Sequence, residues 1–180
     1  LKVSFNDEIM AQQLTIIHGD VREIDLNSLK LRTGAFKIVA NIPYYLSGML
    51  FRTFLENDIQ PTDLVFLVQR EVAERIARDK KESLLSLSVK VFGNPRYVKT
   101  IGKGNFTPPP KIDSAIIAIS DISNERLAGA GLAREQFFTL IHQGFKSKRK
   151  QLLGNLSATY SRETLTHTFS TLGLPLDVRG

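Results

Sequence analysis

The stretch Phe36–Tyr44, FKIVANIPY, decides how the rest of this chain is arranged. Its first half is apolar and contains β-branched residues, which is typical of a buried strand. The run ends at Asn41 and Pro43, because proline cannot donate a hydrogen bond to a sheet. We therefore predict a buried strand that leads into a loop at Asn41. In an open α/β sheet, ligands bind outside the carboxyl ends of strands, so this loop is the expected site.

The side chains of this loop suit a planar ring that carries an amino group. Asn41 offers hydrogen-bond donors and an acceptor, Pro43 fixes the backbone, and Tyr44 provides a flat aromatic face. A nucleobase amino group fits that set. The alternative is that Asn41 only ends the strand in an Asx-type turn. The motif alone leaves both interpretations open.

The segments around the motif predict alternating strands and helices. Leu14–Ile17 and Leu64–Val68 are further short apolar strand candidates. Residues 47–57 carry the broad apolar face of a helix, which Ser47 could cap. A strand, a helix and a strand in succession indicate parallel β-α-β units, and hence an α/β fold.

The second half of the chain changes from strands to helices. Residues 83–92 fit either type, and the helix is favoured because a Gly-Asn-Pro stop follows it. Arg96–Ile101 and Ser114–Ile119 are predicted to pair as an antiparallel edge. Helical patterns follow, including a helix from Ser161 to Leu172 that Ser161 caps. We predict two domains, residues 1–120 and a small all-α domain of residues 121–180.

Composition narrows the class of protein. Of the 180 residues, 42% are hydrophobic, which is enough for a packed core. The net charge of +6 favours an anionic partner, although a basic surface without a partner is the alternative. The chain has no cysteine, which excludes disulfides and thiolate metal sites and fits a reducing compartment. We expect a cytoplasmic monomer with no metal site and no membrane segment.

A second informative stretch, GKGNFTPPPKIDS, spans Gly102–Ser114. Two glycines allow the backbone to move, and three prolines keep the following residues extended. Phe106 lies between them and is displayed on the loop. Its ring could stack on a base opposite Tyr44. The alternative is a hydrophobic plug that anchors a proline-rich linker.

The two stretches together resemble a known family. Asn41–Tyr44 resembles the motif of methyltransferases that modify exocyclic amines, and Phe106–Ser114 narrows the match to the ribosomal RNA adenine N6,N6-dimethyltransferases, the kasugamycin-sensitivity type. The resemblance runs from about Leu14 to the end of the chain. It implies a class I methyltransferase core, which is Rossmann-like, with a small helical carboxy-terminal domain. It also implies S-adenosylmethionine as cofactor and two adjacent adenosines of small-subunit ribosomal RNA as target.

The resemblance implies a role for each matching residue. The Asn41 side chain and the Ile42 carbonyl would accept the two hydrogens of adenine N6, and Tyr44 would clamp the ring. An aspartate at the position of Asp20 contacts the cofactor's adenine amine in such enzymes, although a simple turn explains Gly19-Asp20 equally well. The expected catalytic residues are Asn41, Ile42, Pro43, Tyr44 and Phe106, and the expected cofactor contacts are Asp20 and Asn41.

The run Lys146–Lys150, KSKRK, places four cations in five residues. Such a cluster is typical of phosphate contacts. With its flanking Phe145 and Leu152, it resembles a Phe-Ser-x-Arg-Arg-Lys-x-Leu run of the same family. A solvated helix end is the alternative. The expected RNA contacts are Lys146, Lys148, Arg149 and Lys150.

The largest departure from the family pattern is at the front of the chain. A glycine-rich strand-turn-helix and an acidic residue after the next strand would precede Leu1, and neither is present. We expect a partial chain rather than a degenerate enzyme. Two other functions stay open: a large-subunit RNA dimethyltransferase of the macrolide-resistance type, and a non-catalytic ribosome assembly factor.

Overall fold

The computed structural model describes residues 2–147 and 149–179 and divides the chain into two compact units, Leu1–Leu31 and Arg32–Gly180. The first unit contains helix α1 (Asn6–Met10) and a 3₁₀ turn at Val21–Glu23. The predicted strand Leu14–Ile17 is wrong, because no sheet in the described residues includes this segment. An extended apolar segment becomes a strand only through hydrogen bonds to a neighbouring strand.

The second unit is built on a mixed four-stranded sheet. Its elements before the tail are β1 (Lys37–Asn41), α2 (Ser47–Leu55), β2 (Asp63–Gln69), α3 (Arg70–Ala77), α4 (Leu84–Lys90), β3 (Asn94–Ile101) and β4 (Ser114–Ser120). The strand order is β1-β2-β4-β3; β1 runs parallel to β2, and β4 pairs antiparallel with both β2 and β3. The α/β class, the β-α-β unit and the antiparallel pair are confirmed. The position of β4 between β2 and β3 was not predicted.

The core of this unit is centred on Phe66 of β2. Phe66 is fully buried, and its ring centroid lies 5.1 Å from that of Phe51 and 6.2 Å from that of Phe54, both on α2. Burial alternates along β2, so that Leu64 and Val68 share the buried face. Packing of α2 against β2 therefore fixes the helix that follows the motif.

The prediction that Phe36–Ala40 forms a buried strand is right about the strand and wrong about its burial. β1 is an edge strand, since β2 is its only neighbour in the sheet of the described residues. Val39 on β1 is 77% exposed. Hydrophobicity indicated a strand correctly, but the number of neighbours is set by the order of the strands in the sheet.

The tail of the chain is helical, as predicted. It contains α5 (Glu125–Gly129), α6 (Arg134–Gly144), α7 (Leu152–Leu156) and α8 (Arg162–Thr171). The Ser161 hydroxyl caps α8 by accepting a hydrogen bond of 3.1 Å from the Thr164 backbone N–H. The division into 1–120 and 121–180 stays a prediction; residues 32–180 form one compact unit.

Two arginines attach the tail helices to the rest of this unit. Arg126 donates to the carbonyl oxygen of Gly93 at 2.9 Å, just before β3. Arg134 pairs with the Asp58 carboxylate at 3.1 Å. Both guanidinium groups therefore serve the packing of the tail.

Replacing Phe66 by alanine tests the centre of the core. We expect Phe66→Ala to lower the free energy of unfolding by about 3–5 kcal/mol, because it removes a fully buried ring and leaves a cavity. Urea unfolding measures the change. In the matched control Val39→Ala, on the exposed face of β1, we expect a change within about 0.5 kcal/mol. Equal losses in the two variants would contradict this account of the core.

Candidate active site and RNA-contacting turn

Four strand ends lie side by side at one edge of the sheet, the edge that runs across the carboxyl ends of β1 and β2. Asn41, the last residue of β1, lies opposite Leu67 in the parallel ladder with β2. Gln69, the last residue of β2, lies opposite Ser114, and Ser114 also lies opposite Ile101, the last residue of β3. The loop after Asn41 and the loop between β3 and β4 therefore leave the sheet at the same edge. This is the edge at which open α/β sheets bind ligands.

The Asn41 side chain is exposed, and its carboxamide forms no hydrogen bond with any residue that the structure describes. The alternative of an Asx-type turn is therefore not found. Pro43 starts a 3₁₀ turn at Tyr44–Leu46, and its carbonyl accepts a hydrogen bond of 2.9 Å from the Leu46 N–H. Ile42, which lies between Asn41 and Pro43, is buried. The motif thus has a fixed backbone and an amide that a ligand can use.

Tyr44 is half-buried and is held at both ends. Its hydroxyl lies 2.5 Å from the Ser114 hydroxyl oxygen, and either group can donate. Its carbonyl accepts a hydrogen bond of 2.8 Å from the Ser47 hydroxyl. The prediction that Ser47 caps α2 is wrong: Ser47 is the first residue of the helix, and Leu46 precedes it without a side-chain cap. The Ser47 hydroxyl instead joins the first residue of α2 to Tyr44 of the motif through this hydrogen bond.

The loop that carries Phe106 is closed at its base by Asp113. The Asp113 carboxylate accepts a hydrogen bond of 3.0 Å from the Lys103 backbone N–H, at the start of the loop. Its carbonyl accepts one of 3.0 Å from the Arg70 N–H. Phe106 follows a 3₁₀ turn and is half-buried. The rings of Tyr44 and Phe106 do not stack on each other in the described structure, so their role as a clamp stays a prediction.

Asp20 belongs to the first unit and forms a local turn. Its carboxylate accepts a hydrogen bond of 2.9 Å from the Arg22 backbone N–H and pairs with the Arg22 guanidinium at 2.5 Å. The hydrogen bond from the Arg22 side chain, together with the one from its backbone, lowers the pKa of Asp20 to about 2. Asp20 is thus an ionised acceptor at neutral pH, and its contact with the cofactor stays a prediction.

The basic run lies in the turn between α6 and α7. Lys146, Arg149 and Lys150 are exposed, and none of them forms an ion pair with a described residue. Lys148 lies outside the described residues. In contrast to Arg126 and Arg134, none of these three exposed side chains forms a hydrogen bond with a described residue.

Asn155 on α7 shapes this turn, and this role was not predicted from the sequence. The side chain is 5% exposed, and its amide donates to the carbonyl oxygens of Gly144 at 2.7 Å and Ser147 at 3.2 Å. A polar residue inside the apolar stripe of α7 was the available signal, because a buried amide must find partners. Asn155 therefore holds the backbone from which the basic side chains project.

Residues 2–147 and 149–179 contain no group of three or more histidine, aspartate and glutamate side chains placed to hold a metal ion. In the same ranges no helix has the length and apolar content needed to cross a membrane. The monomeric state stays a prediction.

The chain matches the sequence model of the ribosomal RNA adenine dimethylase family over residues 2–178. It belongs to that family. Over 143 residues it is 36% identical to ribosomal RNA small subunit methyltransferase A of Dehalococcoides mccartyi strain BAV1, covering 79% of this chain and 48% of the relative. The enzyme of the same name from Clostridium botulinum strain Kyoto is 29% identical over 170 residues, covering 92% of this chain and 61% of the relative. The chain thus spans about half the length of the first of these relatives.

Two solved structures share the fold. The crystal structure of the 23S rRNA methyltransferase ErmE matches with a TM-score of 0.72 at 19% identity, covering 98% of this chain and 70% of that one. A dimethyladenosine transferase from Plasmodium falciparum matches with a TM-score of 0.66 at 24% identity, covering 88% and 55%. Both likenesses concern the fold alone, and they confirm the class I methyltransferase architecture.

The turn at Asp20 predicts a pH dependence. The folded-state pKa of about 2 lies below the ordinary value near 3.9, so the Asp20–Arg22 pair stabilises the fold fully above about pH 4. That contribution is lost as the pH falls through about 2. In the variant Arg22→Ala, we expect the pKa of Asp20 to rise toward about 3.9. The ¹³C chemical shift of the Asp20 carboxyl group, followed against pH, measures both values.

Asp25 is the internal control for this titration. Hydrogen bonds from Asn27 lower the pKa of Asp25, so Arg22→Ala should leave its midpoint in place. An Asp20 that titrates near its ordinary value in the unmodified chain would contradict the hydrogen bonds described here.

Proposed function

We propose that this protein is an S-adenosylmethionine-dependent methyltransferase that dimethylates N6 of two adjacent adenosines in small-subunit ribosomal RNA. The observation that carries the proposal is the Asn41 carboxamide, which has no partner among the described residues and lies at the carboxyl end of β1 beside Tyr44. Family membership supports the reaction class. The names of the relatives, small subunit methyltransferase A, favour the small subunit over the large one.

The first task of the site is to make adenine N6 a nucleophile. Its lone pair is delocalised into the ring, so the free amine reacts poorly. The Asn41 side-chain oxygen and the Ile42 carbonyl accept the two N6 hydrogens and hold them out of the ring plane, so that the lone pair is no longer delocalised into the ring. Positioning and fixed dipoles supply the rate enhancement, and no strong general base is needed.

The second task is to hold the base. Pro43 fixes the backbone between Asn41 and Tyr44, and the Tyr44 and Phe106 rings stack on the two faces of the adenine. Stacking on an aromatic side chain contributes about 1–3 kcal/mol per base and does not depend on the amine hydrogens. The clamp therefore also holds the monomethylated base, which offers a single N6 hydrogen to Asn41 or Ile42. The displaced proton leaves to water.

The residues present fit the adenine side of the cofactor. The Asn41 amide has an oxygen and an NH₂ group, so it can accept from the substrate and still donate to the cofactor. Asp20 is ionised and partly exposed, with 34% of its side chain accessible. Its carboxylate accepts four hydrogen bonds from Arg22, so a contact with the cofactor requires at least one of them to be exchanged. When bound, S-adenosylmethionine supplies an electrophilic methyl group. Asn41 would hold its adenine moiety, and a cofactor contact of Asp20 stays a separate prediction.

The decisive experiment measures transfer of a labelled methyl group from S-adenosylmethionine to unmethylated small ribosomal particles, large-subunit RNA and duplex DNA in parallel. We expect incorporation into the small particle alone, as dimethyladenosine at two adjacent positions. Incorporation into large-subunit RNA would favour the macrolide-resistance type. Tight, salt-sensitive binding to the small particle without any transfer would favour an assembly factor and overturn the proposal.

Asn41→Ala separates chemistry from binding. We expect methyl transfer to fall by at least about 100-fold, because the variant loses an acceptor that orients the amine. Binding to the small particle should change by less than about twofold, since the phosphate contacts are intact. The control Asn6→Ala removes an exposed asparagine of α1 and should retain full activity. Undiminished transfer by Asn41→Ala would refute the assigned role.

The basic turn is tested by the salt dependence of RNA binding. For the double variant Arg149→Gln/Lys150→Gln, the slope of log K against log salt should become shallower by about 1.5, since two phosphate contacts are lost. The matched control is Lys80→Gln/Lys81→Gln, which removes two adjacent exposed cations elsewhere. Filter binding at several salt concentrations gives both slopes. Equal changes in the two variants would mean that only the net charge matters.

A further inference from the structure

The hydrogen bond between Tyr44 and Ser114 joins two parts of the chain that are 70 residues apart. Ser114 is fully buried, and its hydroxyl oxygen lies 2.5 Å from the Tyr44 hydroxyl. A buried hydroxyl needs a partner, and Tyr44 supplies it. Ser114 is the last residue of the stretch Gly102–Ser114, and no pattern in the sequence predicts a role for it.

This hydrogen bond controls the direction of the Tyr44 ring. The tyrosine hydroxyl lies on the long axis of the ring, so a fixed hydroxyl fixes where that axis points. The backbone end is fixed as well, by the hydrogen bond from Ser47 to the Tyr44 carbonyl. With both ends held, the ring loses the freedom to swing between rotamers. A ring on which a base stacks needs that rigidity, because the base can stack only if the face of the ring is turned toward it.

Ser114 is a rigid anchor. It is the first residue of β4 and lies in the ladders with both neighbours, opposite Gln69 of β2 and Ile101 of β3. The preceding residue, Asp113, closes the base of the loop that carries Phe106. Ser114 is therefore the point where the two halves of the predicted clamp meet: its side chain holds Tyr44, and its backbone continues the Phe106 loop.

We propose that Ser114 is a positioning residue for methyl transfer, which acts by holding the Tyr44 ring in the orientation that receives the target adenine. The inference rests on the proposed function. Ser114 touches neither the base nor the methyl donor; its effect passes through the Tyr44 hydroxyl. Ser114→Ala and Tyr44→Phe break the same hydrogen bond from its two sides.

A double-mutant cycle tests this inference. Ser114→Ala and Tyr44→Phe should each lower kcat about five- to tenfold, as expected for one lost hydrogen bond, with the KM for the particle changed less than about twofold. The double variant should lose no more than either single variant, because the bond is already absent. Multiplied losses would overturn the inference, since Ser114 would then act independently of Tyr44. Unchanged kcat in both single variants would also overturn it.

Two matched controls exclude a general effect on the sheet. Ser120→Ala removes the serine hydroxyl at the other end of β4, which bonds to Asp121. Tyr97→Phe removes another tyrosine hydroxyl of the sheet, which lies 2.6 Å from the Thr100 hydroxyl. Both variants should keep kcat within about twofold of the unmodified protein, since neither bond adjoins the motif. Losses in the controls equal to those in the test variants would overturn the inference.

A second readout does not depend on methyl transfer. With ¹³C-labelled tyrosine, the ring of Tyr44 should be rigid in the unmodified protein, and Ser114→Ala should increase its mobility while Tyr97 stays unchanged. If Ser114→Ala increases the mobility of the Tyr44 ring but the unmodified protein transfers no methyl group, the proposed function is wrong. The hydrogen bond between Ser114 and Tyr44 is then still supported. If methyl transfer is found and the Tyr44 ring is equally mobile with and without the Ser114 hydroxyl, the inference fails alone.

Discussion

The pairing of β4 with both β2 and β3 is the constraint on which the candidate site depends. A strand between two antiparallel neighbours must begin where each of them ends, so Ser114 lies beside Gln69 and Ile101. The parallel pairing of β1 with β2 brings Asn41 to the same edge. Backbone hydrogen bonds along three ladders thus place the motif and the Phe106 loop together. No side-chain contact between the two loops is required for that placement, and the Tyr44–Ser114 hydrogen bond adds orientation to it.

The cations of the tail divide into two groups with different surroundings. Arg126 and Arg134 donate to carbonyl and carboxylate oxygens of the same compact unit and join helices to the sheet. Lys146, Arg149 and Lys150 have no such partners among the described residues. A guanidinium that is held by such hydrogen bonds is committed to the fold, whereas a cation without a partner is available to a phosphate, and such contacts release counterions from RNA. The buried Asn155 amide fixes the turn that carries the second group.

Much of the fold was predictable from local patterns. Apolar runs located β1, β2 and β4, the Gly-Asn-Pro stop favoured helix α4, and Ser161 marked the start of α8. Two of the failures share a physical cause. Leu14–Ile17 is as apolar as a strand but has no strand partner in the described sheet, and Val39 is apolar but exposed, because it lies on an edge strand. Both outcomes depend on strand pairing between segments that are distant in sequence. Ser47 fails for a local reason, because its hydroxyl donates to the carbonyl of Tyr44, three residues earlier.

The sequence by itself determined the motifs of the family: an asparagine, a proline and a tyrosine after a strand, an aromatic loop, and a basic run, together typical of an RNA adenine dimethylase. Those features are local, and residue type with spacing is enough to define them. Only the tertiary structure decided how they are held. The order of the strands set which ends meet, and that order follows from long-range pairing rather than from any single segment. The tertiary structure also decided which hydrogen bonds Ser114 and Asn155 form, because a buried polar group bonds to the partners that folding brings to it.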